Sequence, residues 1–142
     1  MARRTAVAKI EDPQDILAQA KRFVKNGKGF LTNIEIEYDV YQDDKPVREA
    51  SGIGYLAALK AIDAYLFAKG YIEQSPESII DYQNKIKSIR DSQMKKALMN
   101  NLVTAYQNLH LFGYYRGAVN VPTIKSGFKA VNTLIEMVES KI

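Results

Sequence analysis

Cysteine is absent from this 142-residue chain. That removes disulfides, thiolate metal sites and thiol nucleophiles together. Histidine is nearly as scarce: His110 is the only one, too few for a histidine metal cage and a poor basis for serine–histidine catalysis. No apolar stretch approaches the ~20 residues needed to span a bilayer. The basic start, MARRTAVAKIEDPQ, has no apolar core after it and so is not a secretory signal. The expectation is a cytoplasmic protein with no membrane contact, no metal and no cofactor.

Catalytic signatures are missing as well. There is no GxGxxG, no P-loop and no nucleophile elbow. Gly52-Ile53-Gly54 lies inside a helical pattern, and a phosphate loop would need a strand before it. A di-iron bundle needs Glu-x-x-His pairs, but Gln107 stands three positions before His110. Glu35 with Glu37, and Asp43 with Asp44, read as solvated surface acids. These gaps point away from an enzyme.

The chain length suits one domain, 1–142, with residues 1–11 expected to be flexible. A hydrophobic fraction of 46% and a charged fraction of 25% are those of an ordinary globular protein, so a packed core is expected. Charge is unevenly spread. Residues 1–30 carry seven Lys/Arg against three Asp/Glu, and residues 31–50 carry six acids against two bases. Such segregation can make one face attractive to phosphate and another repulsive.

The run from Lys45 to Gly70, KPVREASGIGYLAALKAIDAYLFAKG, reads as one buried helix lined with small residues. Glycine inside a helix costs about 0.8–1.0 kcal/mol relative to alanine. Gly52 and Gly54 therefore imply the close approach of another helix. Upstream, Asp12 and Pro13 predict a helix start, followed by apolar residues from Ile16 to Ile34 at three-and-four spacing. Gly27 and Gly29 mark a possible break in it. Ile34–Val40 alternates apolar and acidic residues, as a half-buried strand does, yet no second segment offers a partner except a dimer mate. Helix to about Ile36 and then a loop, Asp39 to Lys45, is the preferred expectation. Ser75-Pro76-Glu77 predicts the next helix start. A run from Met94 to Phe112 places Leu98, Leu102, Ala105, Tyr106, Leu109 and Phe112 on one side, then frays between Gly113 and Gly117. Pro122 and Thr123 open the last helix. The fold class is all-α, a single four- to five-helix up-and-down bundle.

His110 to Gly117, HLFGYYRG, is the candidate binding cluster. His110, Tyr114, Tyr115 and Arg116 combine aromatic faces that stack bases with a guanidinium that pairs phosphate. The same residues also suit packing of a helix end. A small-ligand pocket near Tyr55 and Tyr106 is a further candidate, since bundles build sites between helices. Nine tyrosines, several on faces that look buried, hint at a homodimer.

An amphipathic first helix, then ASGIGYLAALKAIDAYLFAKG, AYQNLHLFGYYRG and SGFKAVNTLIEMV, together resemble the HEPN superfamily over roughly residues 13–140. More closely, the pattern is similar to small uncharacterised bacterial proteins with a HEPN-like bundle. The resemblance implies an up-and-down bundle, frequent dimerisation, and a link to RNA or to nucleotidyltransferase-type partners. Many HEPN proteins are metal-independent ribonucleases or toxin–antitoxin components. Active members carry an arginine, a polar residue, and four to six positions later a histidine. Here Arg90 lies twenty positions before His110 and Arg116 follows it, so the ribonuclease motif is absent. The expected function is a non-enzymatic, dimeric interaction module with a protein partner. The alternative is RNA binding, or a degenerate HEPN-type ribonuclease or toxin–antitoxin component, with a basic groove joining Lys21–Lys28 to Arg116.

Overall fold

The computed structural model describes residues 12–142, so the expectation for residues 1–11 lies outside the described residues. Helix α1 (Pro13–Leu31) begins as its sequence dictates. The Asp12 carboxylate accepts from the Gln14 N–H at 3.0 Å, Pro13 fills the first turn and Asp15 faces the positive end of the dipole. Ile16, Leu17, Ala20, Val24 and Gly27 form its buried stripe. Neither Gly27 nor Gly29 breaks it.

The chain then departs from the expected helix and loop. Ile36–Glu37 (β1) pairs antiparallel with Val40–Tyr41 (β2), with Ile36 opposite Tyr41. The reversal is made by Tyr38 (φ 53°) and Asp39 (φ 62°), both left-handed. Two such residues are what a type I′ hairpin turn requires. The missing partner for Ile34–Val40 is thus the segment itself, reinforced from far along the chain. Tyr41 N–H donates to Val119 C=O at 2.8 Å, and Val121 N–H donates to Asp39 C=O at 2.9 Å.

Helix α2 (Asp44–Ala68) follows an Asp43 cap and ends before Gly70, whose φ of +76° closes it. Ala50, Ala57, Ala58, Ala61 and Ala64 are all fully buried, which makes α2 the central helix. It packs on the first helix, on the 106–115 segment and on the last helix. Helix α3 (Ile79–Lys87) is capped by Ser78, not by Ser75. Ser75 has other work: its hydroxyl and that of Tyr82 both donate to the buried Asp63 carboxylate, each at 2.8 Å. A buried carboxylate needs such donors, and they tie the 70–78 loop and α3 to α2.

Helix α4 (Ser92–Ala105) starts at Asp91, which accepts from the Met94 N–H and pairs with Lys141 at 3.5 Å. It runs on without a break as a π-helical segment, Tyr106–Tyr115. The expected fraying after Phe112 is absent. Arg116 N–H reaches Leu111 C=O at 2.9 Å, Ala118 N–H reaches Phe112 C=O at 2.7 Å, and Gly117 (φ +68°) turns the chain. The wider turn also changes phase: Leu98, Leu102, Ala105, Leu109 and Gly113 face the core, while Phe112 turns outward. Helix α5 (Val121–Lys141) opens at the Asn120 cap with Pro122 in its first turn and buries Phe128, Val131, Leu134, Ile135 and Val138. The described chain is thus mostly helical, five helices with one two-stranded ribbon. No helix in it is long and apolar enough to cross a membrane.

Candidate functional site

Glycines in the central helices decide where the π segment lies. A Cβ on Gly54 would sit 2.8 Å from the Phe128 ring and 3.1 Å from Leu109, and one on Gly52 would sit 3.1 Å from the Tyr114 ring. Gly127 likewise faces Leu109, at 2.6 Å. The helix approach inferred from Gly52 and Gly54 is therefore real: the π segment approaches both, and α5 approaches Gly54.

Along that segment, residues four apart lie on one face. Tyr106, His110 and Tyr114 form a column. Ring centroids are 5.3 Å apart for Tyr106 and His110, and 6.1 Å for His110 and Tyr114, both stacked. From α2, Tyr55 closes on the column at 4.8 Å from His110 and 5.9 Å from Tyr106. Burial, helped by neighbouring Tyr106, pushes the Tyr55 phenol up to about 12. His110 makes ring contacts and no hydrogen bond among the described residues. It is placed to present an aromatic surface, with no carboxylate to orient it for proton transfer.

His110 and Tyr114 of the column, with Tyr55, line one wall of a cleft of about 460 Å³, completed by Phe30 of α1 and by Gly52, Ile53 and Leu56 of α2. At its mouth Arg48 reaches across. Its Nε pairs with Asp44 at 3.1 Å, and its Nη1 donates to the carbonyls of Tyr114 (2.9 Å) and Tyr115 (3.2 Å). Those are terminal carbonyls of the π segment that no further turn satisfies. Glu49 lies beside it.

Of the four sequence-predicted residues, His110 and Tyr114 come together here. Tyr115, 71% exposed, and Arg116 do not line the cleft, and the Arg116 guanidinium sits 5.9 Å from the Phe112 ring. The Tyr55–Tyr106 neighbourhood, read separately from sequence, belongs to the same place. Phe30, Arg48 and Leu56 gave no signal, because nothing in their local pattern says which helix faces them. Of the residues expected in a basic groove with Arg116, Lys21 pairs with Glu139 and Lys28 lines a different cleft beside the last helix. Among the described residues no three His, Asp or Glu side chains converge to hold a metal ion.

Residues 15–140 match the family described as a domain of unknown function, DUF5618. Among solved structures, a protein of unknown function from Dyadobacter fermentans is 28% identical, with a TM-score of 0.77 over 93% of this chain and 100% of that one. No curated protein matches.

Proposed function

This chain belongs to the DUF5618 family, and we propose that it is a non-enzymatic interaction module that pairs with a second copy of itself through the aromatic cleft. One observation carries the proposal. Phe30, Leu56 and Tyr114, 40%, 50% and 49% exposed, surround a single apolar cleft. Scattered exposed apolar residues are ordinary, but several around one concavity mark an interaction site. Tyrosine and arginine at its centre and mouth are residues that dominate interface energetics. Arg48 and Glu49 put one charge of each sign beside the patch, an arrangement that a two-fold axis can make self-complementary. The resemblance to HEPN bundles, which frequently dimerise, supports the same pairing.

Light scattering at micromolar concentration tests it. The expected mass is twice the chain's 16.0 kDa, returning to a single chain in Leu56→Arg with the far-UV circular dichroism unchanged. A wild-type mass of one chain overturns it. The stacked Tyr106–His110–Tyr114 column favours RNA as the second reading, since ring faces take unpaired bases. In that case short single-stranded RNA binds with steep salt dependence and Tyr114→Ala abolishes it.

A further inference from the structure

The last turn of α1 separates two clefts. Phe30 lines the aromatic one, while Lys28 and Leu31 line another, of about 450 Å³, between α1, the hairpin and α5. Leu31, Ile36, Tyr41 and Phe128 give this second cleft an apolar floor, and Lys28, Lys125 and Lys129 stand exposed around it. No acidic residue among those described lines it. None of the three lysines forms an ion pair with a described residue. Three uncompensated cations around a low-dielectric concavity concentrate positive potential there. The volume lies within the range of about 300–1,000 Å³ usual for small-molecule sites.

Tyr41 supplies an independent sign. It is 4% exposed, and its hydroxyl has no hydrogen-bond partner among the described residues. Buried polar groups are normally bonded. Yet Ser51 Oγ is the one sealed, unbonded side-chain polar atom among the described residues. The Tyr41 hydroxyl therefore keeps contact with solvent, and the cleft is the opening that its side chain lines. Burial raises the phenol above its ordinary value, so it remains a proton donor at neutral pH.

We propose that this cleft binds a small amphiphilic anion, a carboxylate or phosphate monoester on an apolar body. The lysines meet the charge, Tyr41 donates a hydrogen bond, and the body rests on Leu31, Ile36 and Phe128. A concave apolar floor suits such a molecule better than a nucleic-acid backbone, which needs an open charged track.

Amide NMR titration of the full chain with naphthoate, naphthyl phosphate and neutral naphthalenemethanol tests this. The two anions separate carboxylate from phosphate recognition. Saturable shifts at Leu31, Ile36, Tyr41 and Phe128 are expected with at least one anion. Its affinity should fall about tenfold in Lys125→Ala/Lys129→Ala, and severalfold in Tyr41→Phe. All of these changes lie at exposed side chains or remove one unbonded hydroxyl, so folding is preserved. Equal binding of the neutral compound, shifts confined to the aromatic cleft, or binding of RNA alone would each overturn the proposal.

Discussion

Phe128 occupies the space that a side chain on Gly54 would need, its ring 2.8 Å from where a Cβ would stand. The same edge of the ring lies 3.2 Å from where a Cβ on Gly27 would stand, so both glycines leave room for it. One aromatic from α5 thus locks α1 and α2 together through two glycines.

Alanine at Gly54 should therefore destabilise despite its better helix propensity. Overpacking costs about 1–3 kcal/mol, against a gain of about 1 kcal/mol from propensity. Gly29→Ala is the control: nothing lies within 4 Å of its Cβ position. It should stabilise by about 0.5–1 kcal/mol. Thermal melts of the two variants should move in opposite directions.

Ser51 and Gly113 form a second contact of this kind. Ser51 is fully buried with an unbonded hydroxyl, and its Cβ lies 2.6 Å from the Cβ position of Gly113. Ser51→Ala removes an unsatisfied polar group and should raise stability by about 1 kcal/mol in urea unfolding. Gly113→Ala should be strongly destabilising, and should remain so in the Ser51→Ala background because that Cβ stays in place.

Alkaline pH should unfold the protein through its tyrosines. Tyr55 is pushed up to about 12 by burial and by Tyr106, and Tyr82 is raised further by burial and by Asp63. A raised pKa means the folded state holds its proton more tightly than the unfolded chain, where tyrosine titrates near pH 10. The stabilisation is whole below about pH 10 and is lost as pH rises toward about 12. Melting temperature measured across that window should fall steeply. Tyr55→Phe should flatten the fall at no cost at neutral pH, since its hydroxyl makes no hydrogen bond among the described residues. Tyr82→Phe should cost about 1–3 kcal/mol at neutral pH, because Asp63 loses a donor.

Arg48 should be what keeps the π segment closed at its end. Its guanidinium holds the Tyr114 and Tyr115 carbonyls and covers Gly117. Arg48→Met keeps the stem and removes these bonds. Hydrogen exchange should quicken over residues 111–118 and stay unchanged in α2. Uniform loss of protection would instead show that Arg48 supports the whole bundle.

The parts of this protein written in its sequence are those fixed by neighbours in the chain. Asp12-Pro13 starts α1 and Gly70 closes α2 because capping acts within one turn. Gly52 and Gly54 announced a close contact because glycine in a helix costs free energy that only packing offsets. Tertiary structure decided the rest. Tyr38 and Asp39 take left-handed conformations without the usual Asn or Gly, held by hydrogen bonds from the hairpin to Val119 and Val121. Ser75 looked like a cap until Asp63, twelve residues away and buried, claimed its hydroxyl. Periodicity placed Phe112 with Leu109, but the π turn moved it outward, and contacts with Gly54 and Gly127 anchor Leu109 at that turn. Both clefts belong to this second class. A helix pattern states which side of a helix is apolar, and only the packed bundle determines which of those sides are left uncovered.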